Sequence, residues 1–330
     1  LSRLSLSFGC WDYDRVRPIV EGSVKPEGIE LNWLNMPVEE TFFRMMRHQE
    51  FDVAELSLSS YLIAKDRGFP NFTAIPVFMS RMFRHSGIYI NTNSGIKEPK
   101  DLIGKRIGIP EYQLTACVWI RGILNNYYGV KQSDVEWFMG GEETPGRVEK
   151  VKVDLPPEIK IYQIGEEETL NELLESGKID AFIGPRAPSS FLNGSPNVKR
   201  LFTDYASVEQ EYYRQTGIFP IMHVVAIKDE ILEKHPWVAR NLYQAFLKAK
   251  EMIYDGFNQT AALKVTVPWL IPELERTKEI LGEDFWPYGL ESNRKTLEAV
   301  IQYSYEDGLI KNKLNIEDLF AKSTFEEYVI

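Results

Sequence analysis

Cysteine and histidine are scarce in this chain: its 330 residues hold two Cys, at positions 10 and 117, and four His. Two thiols cannot build a disulfide framework or a Cys-based metal site, and a reducing compartment, the cytoplasm, fits them. Long apolar runs are missing too. None reaches the roughly 18 residues of a membrane span, and the opening LSRLSLSFGCWDYDR contains neither an apolar h-region nor a small-residue cleavage site. Positive charge is in deficit, with 38 Lys and Arg against 48 Asp and Glu, a net charge of −10. Such a surface repels nucleic-acid phosphates, and an anion site on it must gather its cations locally. There is no GxGxxG, P-loop, HExxH or GxSxG pattern. With His48, His85, His223 and His235 as the whole imidazole supply, neither a His-rich metal centre nor a cofactor is expected.

What is present is an ordinary globular composition, 44% hydrophobic and 26% charged, with material for two lobes. Strand patterns at 4–8, 29–34 and 51–56 alternate with a helical one from 37, where Val38, Phe42, Phe43, Met45 and Met46 share a face. That alternation predicts α/β architecture with parallel pairing. A strand at 73–78 leads into SRMFRHS, where Arg81, Arg84 and His85 crowd within five residues, and a strand at 87–90 leaves. Residues 106–124, RIGIPEYQLTACVWIRGIL, read as a strand, a polar loop with Tyr112 and Gln113, and a helix starting near Thr115. The first amides of such a helix lack intrahelical partners and favour an anion. Residues 140–157 read as a long surface loop, a candidate flap, 217–227 as an apolar strand carrying His223, and 229–253 as one amphipathic helix. Two stretches share a plan: Asp52 and Asp180 each open a short strand, followed by a small-residue loop with Ser-Ser and an aromatic-Leu pair. The echo describes two similar lobes offering strand-end loops to a shared cleft.

The blocks RMMRHQEFDVAELSLSSYL, SRMFRHS, GKRIGIPEYQLTACVWIRGIL, IDAFIGPRAP, FPIMHVVAI, KHPWVARNLY and GEDFWPYG resemble the 4,5-dihydroxyphthalate decarboxylase family over nearly the whole chain. The resemblance implies a two-lobe fold of the type II periplasmic-binding-protein kind, with a ligand cleft between the lobes. Lobe one would comprise 1–88 and 220–330, lobe two 89–219, with hinge strands near 87–91 and 217–227. It also implies a small aromatic carboxylate as partner, no nucleic acid and no membrane, and leaves a homo-oligomer open. A solute-binding protein for a small carboxylate is the alternative on the same scaffold.

Decarboxylation of such a ring requires cations for a dicarboxylate, a general acid near the ring carbon and an acceptor for a phenolic proton. The expected clamps are Arg81, Arg84 and Arg186, since a guanidinium grips a carboxylate through two parallel hydrogen bonds. Tyr112, Gln113, Thr115 and Ser57 are expected to bind the substrate's polar edges. His85 or His223 would be the general acid, meeting at the cleft floor, and Glu55 or Asp14 the acceptor.

Overall fold

The computed structural model describes residues 3–69, 71–147 and 151–325. Its first lobe is built on β1 (Leu4–Gly9), α1 (Arg17–Val20), β2 (Ile29–Leu34), α2 (Val38–His48), β3 (Val53–Ser57), α3 (Leu58–Asp66) and β4 (Phe72–Arg81). The second carries β5 (Ile88–Asn91), β6 (Arg106–Ile109), α4 (Thr115–Tyr128), β7 (Glu136–Met139), β8 (Lys160–Gln163), α5 (Leu170–Glu175), β9 (Ala181–Ile183), α6 (Ser189–Leu192), β10 (Val198–Arg200) and α7 (Tyr205–Thr216). The chain then returns through β11 (Ile221–Lys228) to α8 (Asp229–Lys234), α9 (Val238–Phe257), α10 (Leu270–Leu281) and α11 (Arg294–Glu306).

Two mixed sheets result, ordered β2-β1-β3-β11-β4 and β10-β5-β9-β6-β7-β8. Strands of the βα units run parallel, as the alternation of periods predicts, but β11 is antiparallel to β3 and β4, and β5 to β9 and β10. Each contrary strand is the one that has just arrived from the other lobe. The expectation that these strands themselves span the lobes is corrected. Both are hydrogen-bonded on two sides within a single sheet, so the chain crosses instead in 82–87 and 217–220, where the Met82 N–H donates to Pro220 O at 3.2 Å. Backbones crowd at this passage. The Gly184 N–H donates to Gly87 O, and a Cβ on Gly87 would sit 2.8 Å from Gly184 O, which only glycine avoids.

Sequence reasons lie behind these elements. β3 is buried along its whole length, flanked by β1 and β11 and followed directly by the buried α3. In α2, Phe42 and Met45 face the core and Gln49 ends the helix in the left-handed conformation. α4 is buried over ten successive positions, too apolar for a surface helix, and sits against α3 and α11. Its Arg121 is matched by Asp307 at 2.6 Å and lies over the Tyr112 ring at 3.7 Å. The helix expected over 229–253 is broken at 235–237, because Pro236 disfavours the helical conformation in His235. α1, α3, β8, α6, β10 and α7 are additions to the expected elements. No helix or strand occurs among the described residues of 140–157, and 148–150 of that candidate flap lie outside them.

The echo between the lobes has a physical counterpart. Asp52 Oδ2 accepts the Ser7 N–H at 2.8 Å, and Asp180 Oδ2 accepts the Arg106 N–H at 2.9 Å. Each Asp therefore pins the start of its own strand to the neighbouring parallel strand, β1 or β6.

Candidate active site

β11 carries His223 opposite Ser57 on β3, so Glu55 lies diagonally across on the same face. Register shifts in the β11–β4 ladder flank His223 on both sides. Such bulges re-aim a side chain. His223 Nδ1 lies 2.6 Å from Glu55 Oε1, and the Tyr13 hydroxyl donates to the same oxygen at 2.6 Å. The Trp11 N–H donates to Oε2 at 3.1 Å. Glu55 is wholly buried. Burial opposes its ionisation, but the attraction and hydrogen bond of His223, with those from Tyr13 and Trp11, outweigh it, and the carboxyl lies below its ordinary range. Burial, then the adjacent Glu55 charge, pushes the Tyr13 phenol well up, so it stays a donor. With Nδ1 committed to Glu55, Nε2 is left for the cavity, and Phe42 packs edge-on to the imidazole at 4.7 Å.

His223 lines a cavity of about 200 Å³ between the lobes, together with Arg84, Arg186, Ser57 and Thr115 and the apolar Val38, Phe42, Leu114 and Met222. Arg84, on the outgoing crossing, is only 7% exposed. Its Nε donates to Met222 Sδ at 3.2 Å and one Nη to Pro185 O at 3.5 Å, and among the described residues no carboxylate reaches it at ion-pair distance. Burial lowers its pKa to about 10. Glu209 attracts it only from beyond ion-pair distance, and a buried cation without a direct partner is expensive; here it faces a cavity. Arg186, exposed on the loop after β9, meets Glu39 of α2 at 3.4 Å, and Arg147 meets Glu39 at 3.4 Å and Glu111 at 2.6 Å. Ser57 and Ser59 of the first lobe share hydrogen bonds of 2.9 Å each with Thr115 Oγ1, the first residue of α4, whose N-terminal turn borders the cavity.

The NMT1/THI5 like family matches residues 24–157. The 4,5-dihydroxyphthalate decarboxylase of Comamonas testosteroni is 40% identical over 330 residues, covering the whole of both chains. This chain belongs to the 4,5-dihydroxyphthalate decarboxylase family. A second member, from Pseudomonas putida, is 46% identical over 214 residues, 65% of this chain and 83% of that one. The decarboxylase family shares its fold with periplasmic sulfonate-binding proteins. SsuA of Escherichia coli matches with a TM-score of 0.55 at 13% identity over 98% of this chain and 99% of that one, and SsuA of Methylobacillus flagellatus with 0.59 at 13% over 97% and 92%. The desulfurization enzyme DSZB matches with 0.50 at 13% over 97% and 96%. At such identities the likeness shows the fold alone, the two-lobe α/β type.

Of the residues expected in the decarboxylase site, His223, Arg84, Arg186, Ser57 and Thr115 meet around one cavity, and the others stand elsewhere. Arg81 is buried apart from it, its two Nη groups donating to Phe219 O, Pro287 O and Asn293 Oδ1 while Nε has no hydrogen-bond partner among the described residues, so the fork is held by the fold and does not line the cavity. His85 does not meet His223. It sits among Tyr128, Phe202 and Tyr212, with no hydrogen-bond partner on either ring nitrogen among the described residues, and burial lowers its pKa to about 4. Glu55 lies behind His223, where both its oxygens are engaged, and Asp14 is exposed outside, bonded to Arg15. Tyr112 supports Arg121, and Gln113 donates to Val151 O at 3.2 Å, so neither side chain lines the cavity. Tyr13, Phe42, Met222 and Glu39 are the additions. Of these only Phe42 stood out in the sequence, as a core residue.

Proposed function

We propose that the chain is a carboxy-lyase that removes CO2 from a hydroxylated aromatic dicarboxylate of the 4,5-dihydroxyphthalate type in the cavity between its lobes. The observation that carries this reading is Arg84, a buried guanidinium that faces the cavity with no carboxylate among the described residues at ion-pair distance. A substrate carboxylate supplies the missing charge through two charge-assisted bonds, and Arg186 takes the second carboxylate. Phe42, Leu114 and Met222 offer the ring apolar walls, and Ser57 and Thr115 offer hydroxyls.

His223 is the general acid. Protonated, it holds Nδ1–H on Glu55 and delivers the Nε2 proton to the ring carbon that bears the leaving carboxylate. Loss of the para hydroxyl's proton, regained by the oxygen when the ring becomes aromatic again, makes the ring system of the intermediate an uncharged dienone that still bears its carboxylates. The C–C bond then breaks, its electron pair restores the aromatic ring, and CO2 departs. One proton is consumed per CO2, and solvent restores it to His223. Glu55 orients the imidazole and stabilises its charge without touching substrate.

Support for chemistry over transport comes from full-length similarity to a decarboxylase, since the likeness to binding proteins is one of fold. We further propose a cytoplasmic setting, for which the two free, buried thiols at Cys10 and Cys117 speak. The test is incubation of the purified chain with 4,5-dihydroxyphthalate. The reading expects CO2 in equal amount with 3,4-dihydroxybenzoate. Thermal stabilisation by the compound without any product would instead support a binding protein.

A further inference from the structure

The reaction requires a group that takes the proton of the para hydroxyl, and neither carboxylate suggested by the sequence reaches the cavity. Glu39 does: it is the carboxylate among the described residues that line it. It sits in the first turn of α2, three residues before Phe42, and residues so spaced share a helix face with β-carbons roughly 5–6 Å apart. Phe42 packs edge-on to His223. A ring lying along Phe42 thus has His223 near one end and Glu39 about one helical turn away, a separation suited to groups acting on opposite ends of a benzene ring.

We propose that Glu39 is a second catalytic residue, the acceptor of the substrate's phenolic proton. This rests on the decarboxylase reading above. Its contacts with Arg186 and Arg147, 3.4 Å each, are longer than the roughly 2.7–2.9 Å of strong charge-assisted bonds. A substrate carboxylate arriving on Arg186 competes with Glu39 for that guanidinium and turns it toward the hydroxyl edge. As His223 protonates the ring, the phenolic O–H bond breaks and Glu39 takes the proton. When the C–C bonding pair returns to the ring and CO2 leaves, Glu39 gives the proton back to the oxygen. Its protonation state is unchanged over the cycle, and His223 alone supplies the proton consumed.

Glu39→Gln, wild type and His223→Ala are compared in turnover of 4,5-dihydroxyphthalate and in calorimetric binding of that substrate and of phthalate, which has the carboxylates but no hydroxyls. A lost proton acceptor costs about 10²-fold or more in kcat. Phthalate should bind Glu39→Gln within about threefold of wild type or more tightly, because a competitor for Arg186 is gone, while the advantage of the dihydroxy compound over phthalate should shrink. Turnover within about threefold of wild type would overturn the proposal. So would loss of phthalate binding together with turnover, which would make Glu39 a brace between the lobes. A wild type that releases no CO2 defeats the decarboxylase reading itself. A wild type that turns over, with His223→Ala inactive and Glu39→Gln active, defeats only the role of Glu39.

Discussion

Replacing Glu55 by Gln removes one charge from the protein interior and leaves shape and volume almost unchanged. The carboxylate lies 2.6 Å from His223 Nδ1 and is wholly buried, so the imidazolium loses its nearest counter-charge when the amide takes its place. At an effective dielectric of about 20, a unit-charge pair roughly 4 Å apart is worth ~4 kcal/mol. Each 1.4 kcal/mol or so is tenfold in rate, and part of the loss is recovered by relaxation, so kcat for CO2 release should fall by about 10² to 10³. Tyr13→Phe deletes the 2.6 Å bond to the same oxygen together with a 3.5 Å contact to His223 Nδ1. That bond to a charged group is worth roughly 1.5–3 kcal/mol, and this variant should lose about 10- to 100-fold in kcat. In both, phthalate affinity should hold, since neither group contacts the ligand. Turnover within about threefold of wild type in a folded Glu55→Gln enzyme would refute the orienting role.

Arg84→Met should raise the melting temperature of the ligand-free protein, because a buried cation with no carboxylate at ion-pair distance among the described residues gives way to an apolar side chain of similar length, while phthalate binding weakens by about 10² or more in calorimetry. Burial, then Glu143, raises the Glu142 pKa from the ordinary 4.5 to about 7. Between those values the folded state binds more protons than the unfolded one, so this group's contribution to stability falls as pH rises through the window. Thermal melts from about pH 4 to 8, which bracket the window, should show a flatter profile and higher stability at the alkaline end for Glu142→Gln. In Gly122→Ala, the new Cβ on α4 would overlap the Tyr303 ring of α11. Overpacking of this kind costs about 1–3 kcal/mol in urea unfolding.

The lobes were legible because their strands announce themselves by period and their turns by Gly, Pro and Ser, and the Asp52 and Asp180 echo marked one local plan used twice. Edge and surface elements were less so. β8 is largely exposed and carries no apolar alternation, and α7 is mostly polar. The pairing of His223 with Glu55 could not be read, because it depends on the register of β11 against β3, set by partners 168 positions apart in the chain. Arg81 and Arg84 look alike in SRMFRHS. What separates them is that Phe219, Pro287 and Asn293, all distant in sequence, occupy one and leave the other facing the cavity. Glu39 stayed hidden for a simpler reason: the helical pattern of α2 draws the eye to its apolar face, and a polar first turn reads as solvent-facing.

The two histidines the sequence left as rivals divide the account most sharply. His223→Ala and His85→Leu, assayed side by side for CO2 release from 4,5-dihydroxyphthalate, should part company. The first is expected to lose about 10² to 10⁴ in kcat while still binding phthalate, and the second, which exchanges one neutral buried ring for an apolar side chain in an aromatic nest, to keep turnover within about tenfold. Full activity without His223, or its loss only without His85, would contradict the assignment of the general acid and with it the chemistry proposed for the cavity.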